Sequence, residues 1–296
     1  MLSACHEVIT GRAPDTLRAY LLAVLVQMLA VNAFIEWSNL QLPYLHFFGL
    51  ATALGGLLLG LGMVLAMGCA GAMFYRAGEG KVDYLVATIA YAISAWIAGE
   101  WWVKPLRQLL GGEGIPLVLP RALGMDRWLA VAIIGIIALL WLIRGRQRIL
   151  VEGWSWMRTG TMLGVVGIAA WIGSTLTGHP AGIGTVQGSR NWAALFFELD
   201  FSVLDWNLFV VAGIPLGSYI ATRRHQVSAT LPFRSERIPQ AIAGGALMGI
   251  GATLAGGDNI SHGLGGVPLL AVSSIVVMLC IFAGAWIGIR LGWLKT

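Results

Sequence analysis

Long apolar runs, each about the length of a membrane-crossing helix, follow one another along this chain, separated by short stretches rich in Gly, Arg and Trp. A hydrocarbon core of roughly 30 Å needs about 20 apolar residues per helix. Windows of that length predict spans over 17–35, 47–67, 82–102, 128–144, 160–176, 203–222, 240–257 and 268–291. The expected fold is therefore an all-α polytopic membrane protein with about eight spans. A β-barrel would show short alternating segments instead of continuous runs, and is excluded. The first sixteen residues contain His6, Glu7, Arg12 and Asp15 and lack the basic-then-apolar order of a cleaved signal, so 17–35 reads as an uncleaved first span.

Composition sharpens this picture. Only 11% of residues are charged, 57% are apolar and mean hydropathy is +0.78, whereas a soluble domain carries about a quarter charged residues. The net charge of +5 belongs to Lys and Arg residues at span ends and forms no single basic face, which excludes a nucleic-acid partner. If the spans alternate, fourteen of the nineteen basic residues, Arg144, Arg146, Arg148, Arg223 and Arg224 among them, share the side of the termini. Lys104, Arg107, Arg121, Arg127 and Arg190 lie opposite. The positive-inside rule then places both termini in the cytoplasm of a multi-pass inner-membrane protein whose solvent is the lipid bilayer.

The chain also contains a duplication. Residues 55–69, GGLLLGLGMVLAMGC, align without a gap to 244–258, GGALMGIGATLAGGD, at an offset of 189, with eight of fifteen positions identical. A Gly-containing break follows each copy, and then another long span ending in AWIAGEW or AWIGIRL. The first copy begins in the second span and the other in the seventh, so an odd number of crossings separates them and they are expected to be inverted. The division that follows is a first half over 1–110 with a broken helix near 68–80, a linking span and loops over 111–155, and an inverted second half over 156–296 with a broken helix near 257–266. Inverted repeats with interrupted helices typically form a solute site near the bilayer midplane. Gly55, Gly56, Gly60 and Gly62 also have a plainer use, as small faces for close helix packing.

Cys69 and Asp258 stand at equivalent positions, directly after Gly68 and Gly257, where each apolar run stops. Arg76 and Glu79 follow in one copy, Asn259 and His262 in the other. An ionisable residue within a span is a functional candidate by default, although Asp258 equally suits a helix cap or a partner for an Arg. Cys69 follows a Gly at a helix break, where a thiol can meet a polarisable sulfur atom. Cys280, inside IVVMLCIFAGAW, reads as a small buried hydrophobe. No Cys or His spacing suits zinc or haem, so neither metal nor cofactor is expected.

The run from Gly60 to Cys69, continued by Tyr75–Arg76–Ala77–Gly78–Glu79–Gly80, resembles the signature of the YeeE/YedE family of sulfur-compound transporters. Leu254–Ala255–Gly256–Gly257–Asp258–Asn259 with His262 resembles that family's second motif. The resemblance implies a transporter or facilitated channel for a small sulfur-containing solute such as thiosulfate, with Cys69 on a central path and Cys5 as a weaker match for a further path cysteine. It also admits a soluble sulfur-carrier protein as partner. Where the family's second motif usually has cysteine this chain has Asp258, which leaves open whether the acid repels thiosulfate or couples protons or cations. Two rival classes remain: an intramembrane thiol-based sulfur relay enzyme with Cys69 as nucleophile and His262 as base, and a membrane partner that only anchors or senses. No G-x-x-x-x-G-K-[ST] occurs, so ATP hydrolysis by that route is excluded. The loops 103–127 and 177–202 lie on the predicted outer side, where they would cover an entrance. Glu36, Glu100, Glu198, Asp200 and Asp205 adjoin aromatic residues and mark the interface.

Overall fold

The computed structural model describes residues 1–11, 14–38, 46–144, 149–151, 154–178, 180, 182–224 and 235–293. Arg12, Arg146, Arg148, His179, His225, Arg234 and Lys295 lie outside the described residues.

The helices are α1 (Leu2–Ile9), α2 (Asp15–Ser38), α3 (Leu50–Leu65), α4 (Ala70–Gly78), α5 (Val82–Ile97), α6 (Val103–Gly111), α7 (Leu119–Leu123), α8 (Arg127–Ile143), α9 (Trp156–Leu176), α10 (Val186–Phe197), α11 (Trp206–Arg224), α12 (Ile238–Ala255) and α13 (Val272–Arg290). Two π-helical segments, Ala98–Trp102 and Ser261–Gly266, extend α5 and follow α12. A two-stranded hairpin, β1 (Ile149–Val151) and β2 (Trp154–Ser155), joins α8 to α9.

Local sequence explains the helix ends. Asp126 caps α8 by accepting the N–H groups of Trp128 and Leu129 at 2.8 and 3.2 Å, and Ser155 does the same for α9 from Arg158 at 3.3 Å. Gly256 closes α12 in the left-handed conformation at φ 87°, which a residue without Cβ adopts at little cost.

Among the described residues, six helical stretches are long and apolar enough to cross a bilayer by length and composition: Asp15–Ser38, Leu50–Gly78, Val82–Gly111, Trp156–Leu176, Ser235–Ala255 and Val272–Arg290. This is a polytopic all-α membrane protein. Two further expected spans fall on the 17-residue apolar helix α8 and on α11, 19 residues with Pro215 inside. Ile133, Ile136, Ile137, Leu139 and Leu140 of α8 are exposed; water would reject such a face, and acyl chains accept it. The two expected outer loops are partly helical, containing α6, α7 and α10. α6 continues the Val82–Gly111 stretch, whereas α7 and α10, of five and twelve residues, are too short to cross a bilayer on their own.

The packing centre is an antiparallel pair, α3 against α12, whose backbones touch. A Cβ added at Gly55 would lie 2.5 Å from the Ala255 nitrogen, and one at Gly62 2.9 Å from the Met248 nitrogen. Gly244 closes on Ala66 in the same manner. Each helix then packs on the long helix that follows its partner. Gly60 of α3 lies on Ile281 and Ala285 of α13, while Gly249 of α12 lies on Tyr91 and Ala95 of α5. Only glycine allows this approach, because any side chain would occupy the space of the facing backbone.

The two ends of the bundle differ. At one, the strand-like bridges Phe47–Ile115 and Val118–Ala271 tie the connections together. There the Arg107 guanidinium donates to the carbonyls of Thr253 and of Leu254, the latter at 3.2 Å, at the end of α12. At the other end Arg76 and Tyr84 donate to the Met67 carbonyl, at 3.3 and 3.2 Å, just past the end of α3. The exposed last carbonyls of a helix are thus satisfied by a cation in both places.

Candidate functional site

The chain leaves helical geometry after Leu65 and after Ala255, and left-handed backbone appears at equivalent positions: Met67 at φ 53° and Gly256 at φ 87°. Helix resumes at Ala70 with Cys69 as its extended N-cap, and again just after Asp258. The two breaks touch. Asn259 Oδ1 accepts the Ala70 N–H at 3.3 Å, and a Cβ on Gly71 would meet Ile260 Cδ1 at 2.7 Å. Both contacts join residues 189 apart in sequence, the offset of the duplicated motif.

Asp258 is fully buried, at 0% exposure. Its Oδ1 accepts the N–H groups of Ile260 and Ser261 at 2.8 and 2.7 Å and the Ser261 hydroxyl at 3.0 Å. Its Oδ2 accepts the N–H groups of Thr185 and Val186 at 2.6 and 3.1 Å, the Tyr91 hydroxyl at 3.5 Å, and the Thr185 hydroxyl. One carboxylate therefore caps the helical turn after the second break and the start of α10 together. Buried anionic groups are sustained by this kind of donor set. Asp258 offers no surface to a solute in this conformation.

Cys69 lies deep in the protein yet keeps accessible surface. The Met1 backbone nitrogen is 3.9 Å from its Sγ, and Cys5, 1% exposed, belongs to the same apolar cluster. Tyr20 stands in the electrostatic neighbourhood of Cys5, Cys69 and Asp258, and its hydroxyl donates to the Asn259 carbonyl at 3.3 Å.

A cavity of about 390 Å³ opens beside the second break. Its lining includes Gly256, Ser261, Gly265 and Gly266 of the second break, together with Arg107, Arg190, Gln187, Thr253 and Trp171. Arg107 spreads over the Phe48 ring at 4.0 Å while holding the end of α12. Arg190 contacts Glu100 at 3.1 Å, and its Nε is buried without a partner among the described residues. Two guanidinium groups facing one cavity suit an anion. Neither arginine was singled out as a site residue in the sequence; both were only two of the five basic residues on the minority side. Their being basic where few basic residues lie was the available signal.

The remaining candidates separate into neighbours and outliers. Gly68 and Gly257 are buried at the breaks, where a Cβ would lie 3.3 Å from the Tyr84 ring and 3.0 Å from His262 Nε2 respectively. His262 is fully buried, with Nδ1 3.0 Å from the Ser274 hydroxyl and Nε2 beside Gly257 without a hydrogen-bond partner among the described residues. Those contacts pair it with α13 and its own break, not with Cys69. Arg76 sits at the other end of the bundle, bound to Met67, Tyr75 and Tyr84, and Glu79 pairs with Lys81 at 2.7 Å. Neither reaches the cavity. No cluster of His, Cys, Asp and Glu able to hold a metal ion occurs among the described residues.

Comparison with known proteins adds an independent result. The profile of a family described as Sulphur transport matches residues 1–287. A thiosulfate transporter TsuA of Spirochaeta thermophila is 32% identical over 252 residues, covering 79% of this chain and 74% of that protein. A thiosulfate transporter TsuA of Escherichia coli K12 is 28% identical over 288 residues, covering 90% and 82%. A probable transporter YedE of Salmonella typhimurium is 35% identical over 88 residues, 29% of this chain and 22% of that protein.

Proposed function

The chain belongs to the Sulphur transport family, and from that premise we propose that it carries thiosulfate, or a sulfur oxyanion of the same charge and size, from the cavity at Arg107 and Arg190 past the second break to Cys69. It is a transporter of a small sulfur compound, not an enzyme. The observation that carries the route is the cavity itself: two arginines line it, and so do residues of the break that touches the first break at Ala70, next to Cys69. An anion is drawn in by fixed charge and then meets a soft thiol that interacts with its terminal sulfur. Cys5 shares the apolar cluster of that thiol. In this route Gly68, Gly257, Asn259 and His262 shape the wall, Asp258 braces it, and Arg76 and Glu79 belong to the far end.

The finer architecture is proposed on the same basis. We read eight crossings, adding α8 and α11 to the six long helices, with inverted halves over 1–110 and 156–296 joined through 111–155. The support is reciprocal contact. Gly55 meets Ala255 as Gly244 meets Ala66, and these pairs exchange under a shift of 189. The termini are placed on the cytoplasmic side of the inner membrane and the cavity of Arg107 and Arg190 on the opposite side. This follows because basic residues concentrate at the other end. A soluble sulfur carrier would take the solute at that cytoplasmic end.

The test is uptake of radiolabelled thiosulfate into proteoliposomes. Wild-type protein should accumulate label and the Cys69→Ala protein should not. Equal uptake by protein-free vesicles, or saturation unaffected by Arg107→Gln and Arg190→Gln, would overturn the route.

A further inference from the structure

Arg190 reaches from α10 across to the outer end of α5, where the helix widens into π geometry over Ala98–Trp102. A Cβ added at Gly99 would lie 2.5 Å from both Nε and Nη2 of Arg190 and would overlap its central carbon. The guanidinium therefore lies against α5 backbone that is bare of side chain. π-segments within a helix recur at functional sites, because the extra residue re-aims the neighbouring side chains. The next residue, Glu100, touches Arg190 through a single nitrogen, Nη2 to Oε1 at 3.1 Å. The side chains are 26% and 45% exposed, and Nε is left over. This is an open, single-contact ion pair at the rim of a cavity and not a closed bidentate one.

Resting on the reading that the cavity admits the sulfur anion, we infer that Glu100 is a tethered competitor for Arg190. It neutralises the guanidinium while the cavity is empty and gives way to the solute, so it sets the affinity for anions, and Gly99 is the positioning residue that keeps Arg190 still during the exchange. Two observations favour competition over bracing. Arg190 also packs on the bare backbone of Gly99, a contact that does not depend on Glu100. A half-exposed ion pair with one contact shifts an equilibrium by no more than about fivefold, which a solute shared between Arg107 and Arg190 overcomes. The carboxylate then swings into solvent, where its exposure already leads.

The experiment is thiosulfate uptake by the full-length protein in proteoliposomes, with KM and kcat measured separately for Glu100→Gln, Glu100→Ala, Arg190→Gln and Gly99→Ala. Removing the competitor should lower KM by about two- to fivefold at unchanged kcat, and added salt should raise KM more steeply than in wild type. Arg190→Gln should raise KM, and Gly99→Ala should raise it too, although Arg190 is still present. A KM that stays or rises in both Glu100 variants while Arg190→Gln raises it would overturn the competitor and leave the transport route standing. A KM unmoved by Arg190→Gln would overturn the route.

Discussion

Replacing Asp258 with Ala tests whether one carboxylate ties the second break to α10. The substitution removes the acceptor of seven donors: four backbone N–H groups, at Thr185, Val186, Ile260 and Ser261, and the hydroxyls of Thr185, Ser261 and Tyr91. The hydroxyls can turn to one another, since Tyr91 and Thr185 already stand 3.4 Å apart. The backbone groups cannot turn. Each buried N–H without a partner costs about 1–3 kcal/mol, so four in a dry site would cost about 4–12 kcal/mol, comparable with the whole stability of a domain. Water from the adjoining cavity, which Val186 and Ser261 line, brings the loss down to about 3–5 kcal/mol, the usual cost of breaking a buried charge arrangement. At roughly 2–4 °C per kcal/mol for a chain of this size, the melting temperature in detergent should fall by roughly 6–20 °C. Asp258→Asn keeps one acceptor and should lose about half as much. Hydrogen exchange should show the amides of Thr185, Val186, Ile260 and Ser261 losing protection together, ahead of those in α3. A melting temperature within about 2 °C of wild type, with all four amides still protected, would refute the tie.

Cys69→Ala should reduce thiosulfate uptake by about tenfold or more, the loss of one transition-state contact of about 1.4 kcal/mol being sufficient, while leaving the melting temperature nearly unchanged; normal uptake would make Cys69 a packing residue. Gly60→Val should destabilise the bundle by about 1–3 kcal/mol through overpacking against Ile281 and Ala285, and a thermal scan indistinguishable from wild type would refute the close α3–α13 contact. Arg107→Gln should raise KM for thiosulfate and lower thermal stability together, because that guanidinium both faces the cavity and holds the Thr253 and Leu254 carbonyls. A change in only one of the two readouts would separate those roles.

The all-α membrane fold, six of its expected spans and the close glycine contacts were legible in the sequence because each has a one-dimensional signature. Apolar length marks a helix, and a small-residue stripe marks a backbone contact. The breaks were legible at Gly68 and Gly257 for the same reason, since an apolar run that stops at a small residue has nowhere to bury its carbonyls. The cavity was not. Arg107 and Arg190 are 83 residues apart, on segments that read as outer loops, and only the fold of α6 and α10 over the second break brings them to face each other. Trp171 and Gln187 were hidden in the same way. Asp258 was visible as an anomaly, but its partners, Thr185 and Val186, come from the start of a short helix with no apolar periodicity to announce it. Cooperation between distant helix ends leaves no local trace.

The donors around Asp258 bear on how an acid is tolerated beside a route for anions. A helix start carries the equivalent of about half a positive charge, and Asp258 closes two such starts, at Ile260 and Ser261 and at Thr185 and Val186. The sum over the two starts and the carboxylate is close to zero. On the proposed route, an anion passing the second break would meet neither the repulsion of a bare acid nor the trap that two uncapped helix starts would form. In that reading, positive potential is left to Arg107 and Arg190 at the cavity, where it speeds capture, and is cancelled at the break, where it would slow release. Capture and passage are thus divided between different residues. Neutralising Asp258 should accordingly change the two steps in different ways: Asp258→Asn leaves an uncompensated positive site at the break, so thiosulfate should bind more tightly and turn over more slowly, with KM and kcat falling together in the proteoliposome assay. A rise in kcat would mean instead that the carboxylate repels the solute, and that the helix starts do not cancel its charge.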